Sequence, residues 1–250
     1  MRTLLKAAVV LAAIPSCAIA GSDPSALFPE LAKIELKHEG VRIWYPADKA
    51  TPVKTAPAYL KEYEEAGVYA SQPIELDLGH GLPKLAIACD SGPSNDPSCR
   101  LLPKFDDPAS AVFESAGTDF VFVPNGDIHV FGHNDNLYDH RRLFRFDGKR
   151  FTEVAQPFRY VGIESRTKVP LEVTAVRDAD RKKGDAKQVL VTLPAQTSLT
   201  ILMNAATNDN EYGQNPDYLV RTREGLVGWA HIPTLPDGTT IIEGLHYNGD

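Results

Sequence analysis

The stretch Asp119-Phe-Val-Phe-Val-Pro-Asn-Gly-Asp-Ile-His-Val-Phe131 constrains the fold of this chain more than any other segment. β-Branched and aromatic residues fill both arms. Asn125-Gly126 lies between them, the pair that supplies the two positive φ angles of a type I′ turn. A two-residue turn there places Val123 opposite Ile128 and Val121 opposite Val130 on one face. Phe122 then opposes His129, and Phe120 opposes Phe131, on the other. Both faces are apolar, so the hairpin is expected to be covered on both sides. A second hairpin over Leu143–Val154 is expected to turn at Asp147-Gly148, its arginines and phenylalanines alternating between a wet and a buried face.

Ahead of the hairpins, Pro29–Leu36 reads as a short helix and Val41–Tyr45 as a strand. Ala58–Ala66 is the strongest helical segment, with Tyr59, Leu60 and Tyr63 on one face. Leu85–Cys89 reads as a strand, and Gln156–Gly162 closes the region. Beyond Gly162 come five short β-rich runs: Leu171–Val176, Gln188–Leu193, Ser198–Met203, Tyr218–Thr222 and Gly225–Ala230. Polar turns separate them, the pattern of a small barrel. The expected architecture is mainly β: an α+β N-terminal domain over 21–165, a small β-barrel over 166–232 and a tail over 233–250. No fixed-period repeat points to a propeller or solenoid.

Residues 1–20 carry the three parts of an export signal: Arg2 and Lys6, the apolar run Ala7–Ile14, and Ala18-Ile19-Ala20 before Gly21. The run is too short to span a bilayer, and no other stretch is long enough. Cys17, in Ile14-Pro15-Ser16-Cys17, resembles a lipoprotein box, so a lipid anchor stands as the alternative, although Pro15 fits that box poorly. Export to the periplasm is favoured, with secretion as the other outcome. Cleavage removes two cations and takes the formal charge from −7 to −9. That sign gives no general attraction to nucleic acid or anionic lipid. Of the three cysteines, Cys89 and Cys99 survive cleavage, ten positions apart around a Ser/Gly/Pro/Asp/Asn loop. In an oxidising compartment they are expected to pair.

The segment Tyr218-Leu-Val-Arg-Thr-Arg-Glu-Gly225-Leu-Val-Gly228-Trp229-Ala230, with the runs before it, resembles a bacterial SH3-like domain over residues 166–232. The resemblance implies a small barrel with a binding or spacing role near peptidoglycan or a partner protein, and no catalysis. Gly225 would allow a tight turn, Gly228 would admit a neighbouring backbone, and Trp229 would be an apolar plug whose N–H needs a partner. The long insertion between Met203 and Asp217 departs from the usual module, as does Ala195 where glycine is more usual. Residues 21–165 resemble no family.

Asp90-Ser91-Gly92-Pro93 echoes a serine-protease nucleophile motif but lacks one of its glycines and the family's histidine setting, so a disulfide-bounded turn explains it better. His129, His133, Asp135, Asp139 and His140 fall within twelve residues. His133, Asp135 and His140 are the candidate metal ligands there, against a solvated or partner-facing loop. Arg181-Lys182-Lys183 is a solvated turn among aspartates. The candidate contact residues are Asp135, Asp139, Tyr138 and Trp229, with Tyr160 and Trp44 as further contact aromatics, although most aromatics are core. The leading expectation is an exported non-catalytic protein that binds peptidoglycan or a protein partner and needs no cofactor. Charge adds an inhibitor or immunity role toward a basic cell-wall enzyme, with Asn134–Asp139 as the entering loop. The alternative is an envelope hydrolase, with or without a metal.

Overall fold

The computed structural model describes residues 24–36, 40–52, 74–90, 96–104, 107–133, 136–184, 186–205 and 215–247. The export segment, the Ala58–Ala66 helix and Asp135 lie outside these residues. The described chain is mainly β, and its one α-helical turn is Pro24–Leu27. In chain order the strands are β1 (Ala32–Leu36), β2 (Val41–Tyr45), β3 (Ala50–Pro52), β4 (Ile74–Leu76), β5 (Leu85–Asp90) and β6 (Ser98–Leu102). There follow β7 (Phe113–Ala116), β8 (Asp119–Phe122), β9 (Ile128–Gly132), β10 (His140–Phe146), β11 (Phe151–Glu153) and β12 (Phe158–Arg166). The last are β13 (Leu171–Thr174), β14 (Val189–Leu193), β15 (Ser198–Ala205), β16 (Asp217–Thr222) and β17 (Val227–His231).

They form three sheets: β1-β2-β8-β9-β10-β11, β3-β4-β5-β6-β7, and β12-β15-β16-β17-β13-β14. The first two share one core, in which Ile43, Phe120, Phe122 and Ile128 of the first sheet meet Leu76, Leu85, Ile87 and Leu101 of the second. At its centre Phe113 stands edge-on to Phe120, Phe144 and Phe151, the arrangement that ring quadrupoles favour. β2 and β8 run parallel, and Asp119 joins them. Its carboxylate accepts from Arg42 at 2.6 Å and from the Trp44 indole at 3.4 Å. Cys89 and Cys99 form a disulfide between directly opposed positions of β5 and β6, with Cα atoms 4.1 Å apart. The bond therefore staples two paired strands as well as closing a loop.

The first hairpin is present and covered on both faces, but its register is one residue off the expected one. Phe120 opposes Val130, Phe122 opposes Ile128, and Val121 opposes His129. The reason is the turn. Gly126 alone has positive φ (84°), and the bonds Gly126 N–H to Val123 O and Val123 N–H to Asp127 O enclose three loop residues. Pro124 presets the φ of the first turn position, so a type I turn with a glycine bulge forms in place of type I′. A side chain on Gly126 would collide with the His80 imidazole, which packs beneath the turn.

The helix expected over Pro29–Leu36 is instead strand β1. Its burial alternates with period two, Lys33 and Glu35 outward, and every residue pairs with β2. Tertiary pairing overrides a weak local preference. At Asp147-Gly148 the chain turns as expected, with Asp147 Oδ1 accepting from the amides of Lys149 and Arg150.

All five expected C-terminal runs are strands, but no sheet closes into a barrel. β14 and β15 follow one another in the chain yet lie in different parts of the sheet order. β14 pairs with β13 at one edge, while the free side of β15 is taken by β12, from upstream of residue 166. The core of this sheet holds Leu199, Ile201, Tyr218, Val220 and Ile242. Gly228 behaves as its pattern implies: a Cβ there would lie 2.6 Å from Val173 Cγ1 and 2.7 Å from the Thr174 carbonyl. Gly225, at φ 93°, closes the β16–β17 turn.

Candidate functional site

The polar run between β9 and β10 leads into the fold. Leu137 and Tyr138 insert into the core of the C-terminal sheet, and Tyr138 is 2% exposed. Its hydroxyl donates to Asn204 Oδ1 (3.1 Å), and Asn204 Nδ2 donates to the Asn215 carbonyl (2.7 Å). Burial pushes the phenol pKa up. Tyr138 is therefore an anchor between the N-terminal and C-terminal sheets and no contact aromatic, because an apolar pair in a polar run finds a core that can satisfy its one hydroxyl. Asp139 remains exposed, 3.9 Å from His133 Nδ1. His133 turns its Nε2 to the His246 carbonyl at 3.1 Å, so that nitrogen carries the proton.

His140 is buried, its ring 4.8 Å from that of Tyr138 and its Nδ1 3.5 Å from Arg159 Nη1. Burial first, then the charges of Arg159, Arg142 and His133, pull its pKa down to about 3. Since a guanidinium only donates, Nδ1 is the acceptor and Nε2 carries the hydrogen, with no partner among the described residues. Arg142 beside it donates to the Ala116 carbonyl and leaves Nε without a bond. Arg159 reaches Glu153 at 3.3 Å. Two guanidiniums around a neutral imidazole repel any cation. Among the described residues no three His, Cys, Asp or Glu side chains converge as metal ligands. His129 is half-buried, 5.5 Å from the Phe28 ring, and burial lowers its pKa.

A different feature emerges on the outer face of the C-terminal sheet. The ladder sets Tyr160 opposite Met203, Met203 opposite Leu219, and Leu219 opposite Trp229. Directly opposed residues share a face, so four apolar side chains cross four strands in one row. Their chain neighbours Val161, Asn204, Tyr218 and Ala230 are buried on the inner side. Tyr160 is 40% exposed, and Phe158, two residues before it, is 39% exposed. Trp229 is half-buried, with its ring 6.0 Å from that of Phe158. It is thus a surface ring of the row and not the plug expected of it, because the inward positions of β17 fall to Gly228 and Ala230.

Cations cap both ends. Arg141 lies 4.5 Å over Tyr160, and Arg177 lies 5.2 Å over Trp229, oriented by two hydrogen bonds to Asp180. Beside Trp229 opens a cleft of about 210 Å³, walled by two polar pairs: Asp217 with His231 at 3.0 Å and Glu172 with Lys187 at 2.6 Å. The Thr174 hydroxyl there bonds the Val176 and Trp229 carbonyls. The arrangement offers ring faces for stacking and fixed polar groups for hydrogen bonding.

No known family, curated protein or solved structure matches this chain. Among the described residues no helix is long and apolar enough to cross a membrane. Of the sequence candidates, Trp229 belongs to the outer row, exposed Asp139 sits beside half-buried His133, and Tyr138 and His140 are internal. Of the further contact aromatics, Tyr160 stands on the outer row and Trp44 is buried. Phe158, Arg177 and the Asp217–His231 pair escaped sequence reasoning, and the signal that could have found Phe158 is the alternation Phe158-Arg159-Tyr160, whose two aromatics share a face while Val161 takes the other.

Proposed function

We propose that this chain is an exported, non-catalytic binding protein of the cell envelope, and that its ligand is a peptidoglycan component lying across the Tyr160–Trp229 row. The row supports this reading: three exposed or half-exposed rings share one sheet face beside a cleft with hydrogen-bonding walls. Ring faces of this kind suit flat, weakly apolar surfaces such as sugar rings, and the polar walls suit their hydroxyl and amide groups. The resemblance of residues 166–232 to SH3-like modules points the same way. Residues 1–20 and the disulfide fit passage through an oxidising compartment.

The inhibitor reading drew on a projecting acidic loop, and Asn136, Leu137 and Tyr138 are buried. The hydrolase reading drew on His133, Asp135 and His140, of which His140 is buried beside Arg159 and His133 turns one ring nitrogen to the His246 carbonyl. Retention on purified sacculi tests the proposal. The native chain is expected to be retained, and Tyr160→Ala with Trp229→Ala to weaken retention by about tenfold or more. Native protein that passes through sacculi unbound overturns it.

A further inference from the structure

An arginine drawn partly out of water needs an oxygen acceptor, because its guanidinium carries five N–H donors and a charge that is never lost. Seven arginines among the described residues are half-buried. Six of them have their acceptor. Arg42 bonds Asp119, Arg100 bonds Glu114, Arg142 bonds the Ala116 carbonyl, Arg159 bonds Glu153 and Arg177 bonds Asp180. Arg181 lies 3.3 Å from Asp178. Arg141 is the exception. Its guanidinium bonds no acceptor among the described residues and lies 4.5 Å over the Tyr160 ring, at the start of the outer row.

Both regions of the molecule build this stack. Arg141 stands on β10 opposite Phe131, and Tyr160 stands on β12. The Tyr160 ring folds back over Gly162, where a Cβ would collide with it, so the ring rests where only glycine leaves room. A guanidinium laid over a ring uses its face for the stack, and its in-plane N–H groups remain for a ligand. The acids around it are committed elsewhere. Asp119, opposite Phe131 on the same face, accepts from Arg42 and Trp44. Asp139, two residues before Arg141, faces His133, and Glu153 holds Arg159.

We infer that Arg141 is a specificity-determining residue that binds a carboxylate of the ligand, so that the row selects an acidic peptidoglycan strand over a neutral glycan. This rests on the reading of the row as a peptidoglycan site and adds the group that sets its selectivity. A carboxylate fits because it accepts two parallel bonds from one guanidinium edge and brings the charge that Arg141 lacks beside it. The attraction has to be local, since a chain of net charge −7 offers an anion no general one. At the far end of the row Arg177 is already held by two bonds to Asp180. The row therefore has a direction: the carboxylate lies at the Tyr160 end, and an uncharged ring lies at the Trp229 end.

Retention of the full chain on two kinds of purified sacculi tests this, one native and one with its carboxylates converted to amides. The salt is set at about 0.15 M, where the Debye length of about 8 Å leaves little long-range repulsion. The native chain is expected to bind amidated sacculi about tenfold more weakly, the loss of one charge-assisted pair. Arg141→Gln, with unchanged circular dichroism, should lose about as much on native sacculi and nothing further on amidated ones. Trp229→Ala should bind both more weakly yet keep the tenfold preference, because stacking does not read charge. Equal retention of the native chain on both kinds overturns the inference and leaves the row as a glycan site. Losses from Arg141→Gln and from amidation that multiply also overturn it, since guanidinium and carboxylate then act apart. Retention on neither kind overturns the reading of the row, and the inference with it.

Discussion

The N-terminal sandwich and the C-terminal sheet use the same residue classes for opposite ends. In the sandwich, aromatics converge. Phe113, Phe120, Phe144 and Phe151 pack edge to face between two sheets, a disulfide staples one of those sheets, and all four edge strands carry a charge or a proline. In the C-terminal sheet only the inner face is apolar core. Phe158, Tyr160 and Trp229 stand on the outer one, and β14, uncharged but bulged at Leu190, lies along one edge. The first region is closed on itself. The second leaves aromatic rings exposed on one face, so aromatic content alone says nothing about where a segment packs.

If that contrast is right, substitutions of aromatics should differ greatly in cost. Phe120→Ala, at a fully buried position, is expected to destabilise by about 3–5 kcal/mol. Trp229→Ala, on the half-exposed outer row, should cost less than about 1.5 kcal/mol. Urea unfolding of both variants reads the difference, and equal losses would dissolve the contrast.

Acid should act at the junction of the two regions. His140 has a folded pKa of about 3 against an ordinary 6.5, so the folded state binds fewer protons than the unfolded one. Its neutral burial is harmless above about pH 6.5, and stability falls as pH drops from there toward 3. The loss reaches up to about 4 kcal/mol at the lower end. His140→Gln should flatten that part of the pH–stability curve, a change that unfolding midpoints at pH 7 and pH 4 would reveal.

Next in size is the staple. Replacing Cys89 and Cys99 with alanine should cost about 2–3 kcal/mol, read as a lower urea midpoint that dithiothreitol then no longer shifts. The smallest effect concerns the outer face. Arg177→Ala removes a guanidinium that lies over Trp229 and Phe158, and the expected loss of stability is about 0.5–1 kcal/mol. Ligand retention should fall further than stability does, and a purely structural role would move the two together.

Much of this division was written in local pattern. The five C-terminal strands followed from alternating apolar runs between polar turns, and the disulfide from two cysteines in a chain expected to be exported. Gly228 was legible because only a missing Cβ lets β13 approach. The first hairpin was legible in position but not in register, since Pro124 converts a two-residue loop into a three-residue one and shifts every partner by one. Tyr138 as a contact aromatic and Trp229 as a plug were misjudged for a shared reason. Whether a ring is core or surface depends on which distant strand lies opposite, and no local signal states that Met203 will sit between Tyr160 and Leu219. The edge of β14 was hidden similarly, because an uncharged run reads as a central strand until the sheet order is known.

The parallel pair of β2 and β8 carries a consequence for the speed of folding. Arg42 and Asp119 are 77 residues apart in the chain, and the whole five-stranded sheet is inserted between them. Bringing two such distant strands together costs loop entropy that only a collapsed intervening segment can reduce. The hairpins β5–β6 and β8–β9 can zip early, each from its own turn. The β2–β8 ladder must wait until the inserted sheet has shortened the span. The Asp119 carboxylate, with its bonds to Arg42 and Trp44, is then a latch that closes late, and the refolding rate should follow the stability of the insertion more closely than that of the C-terminal sheet.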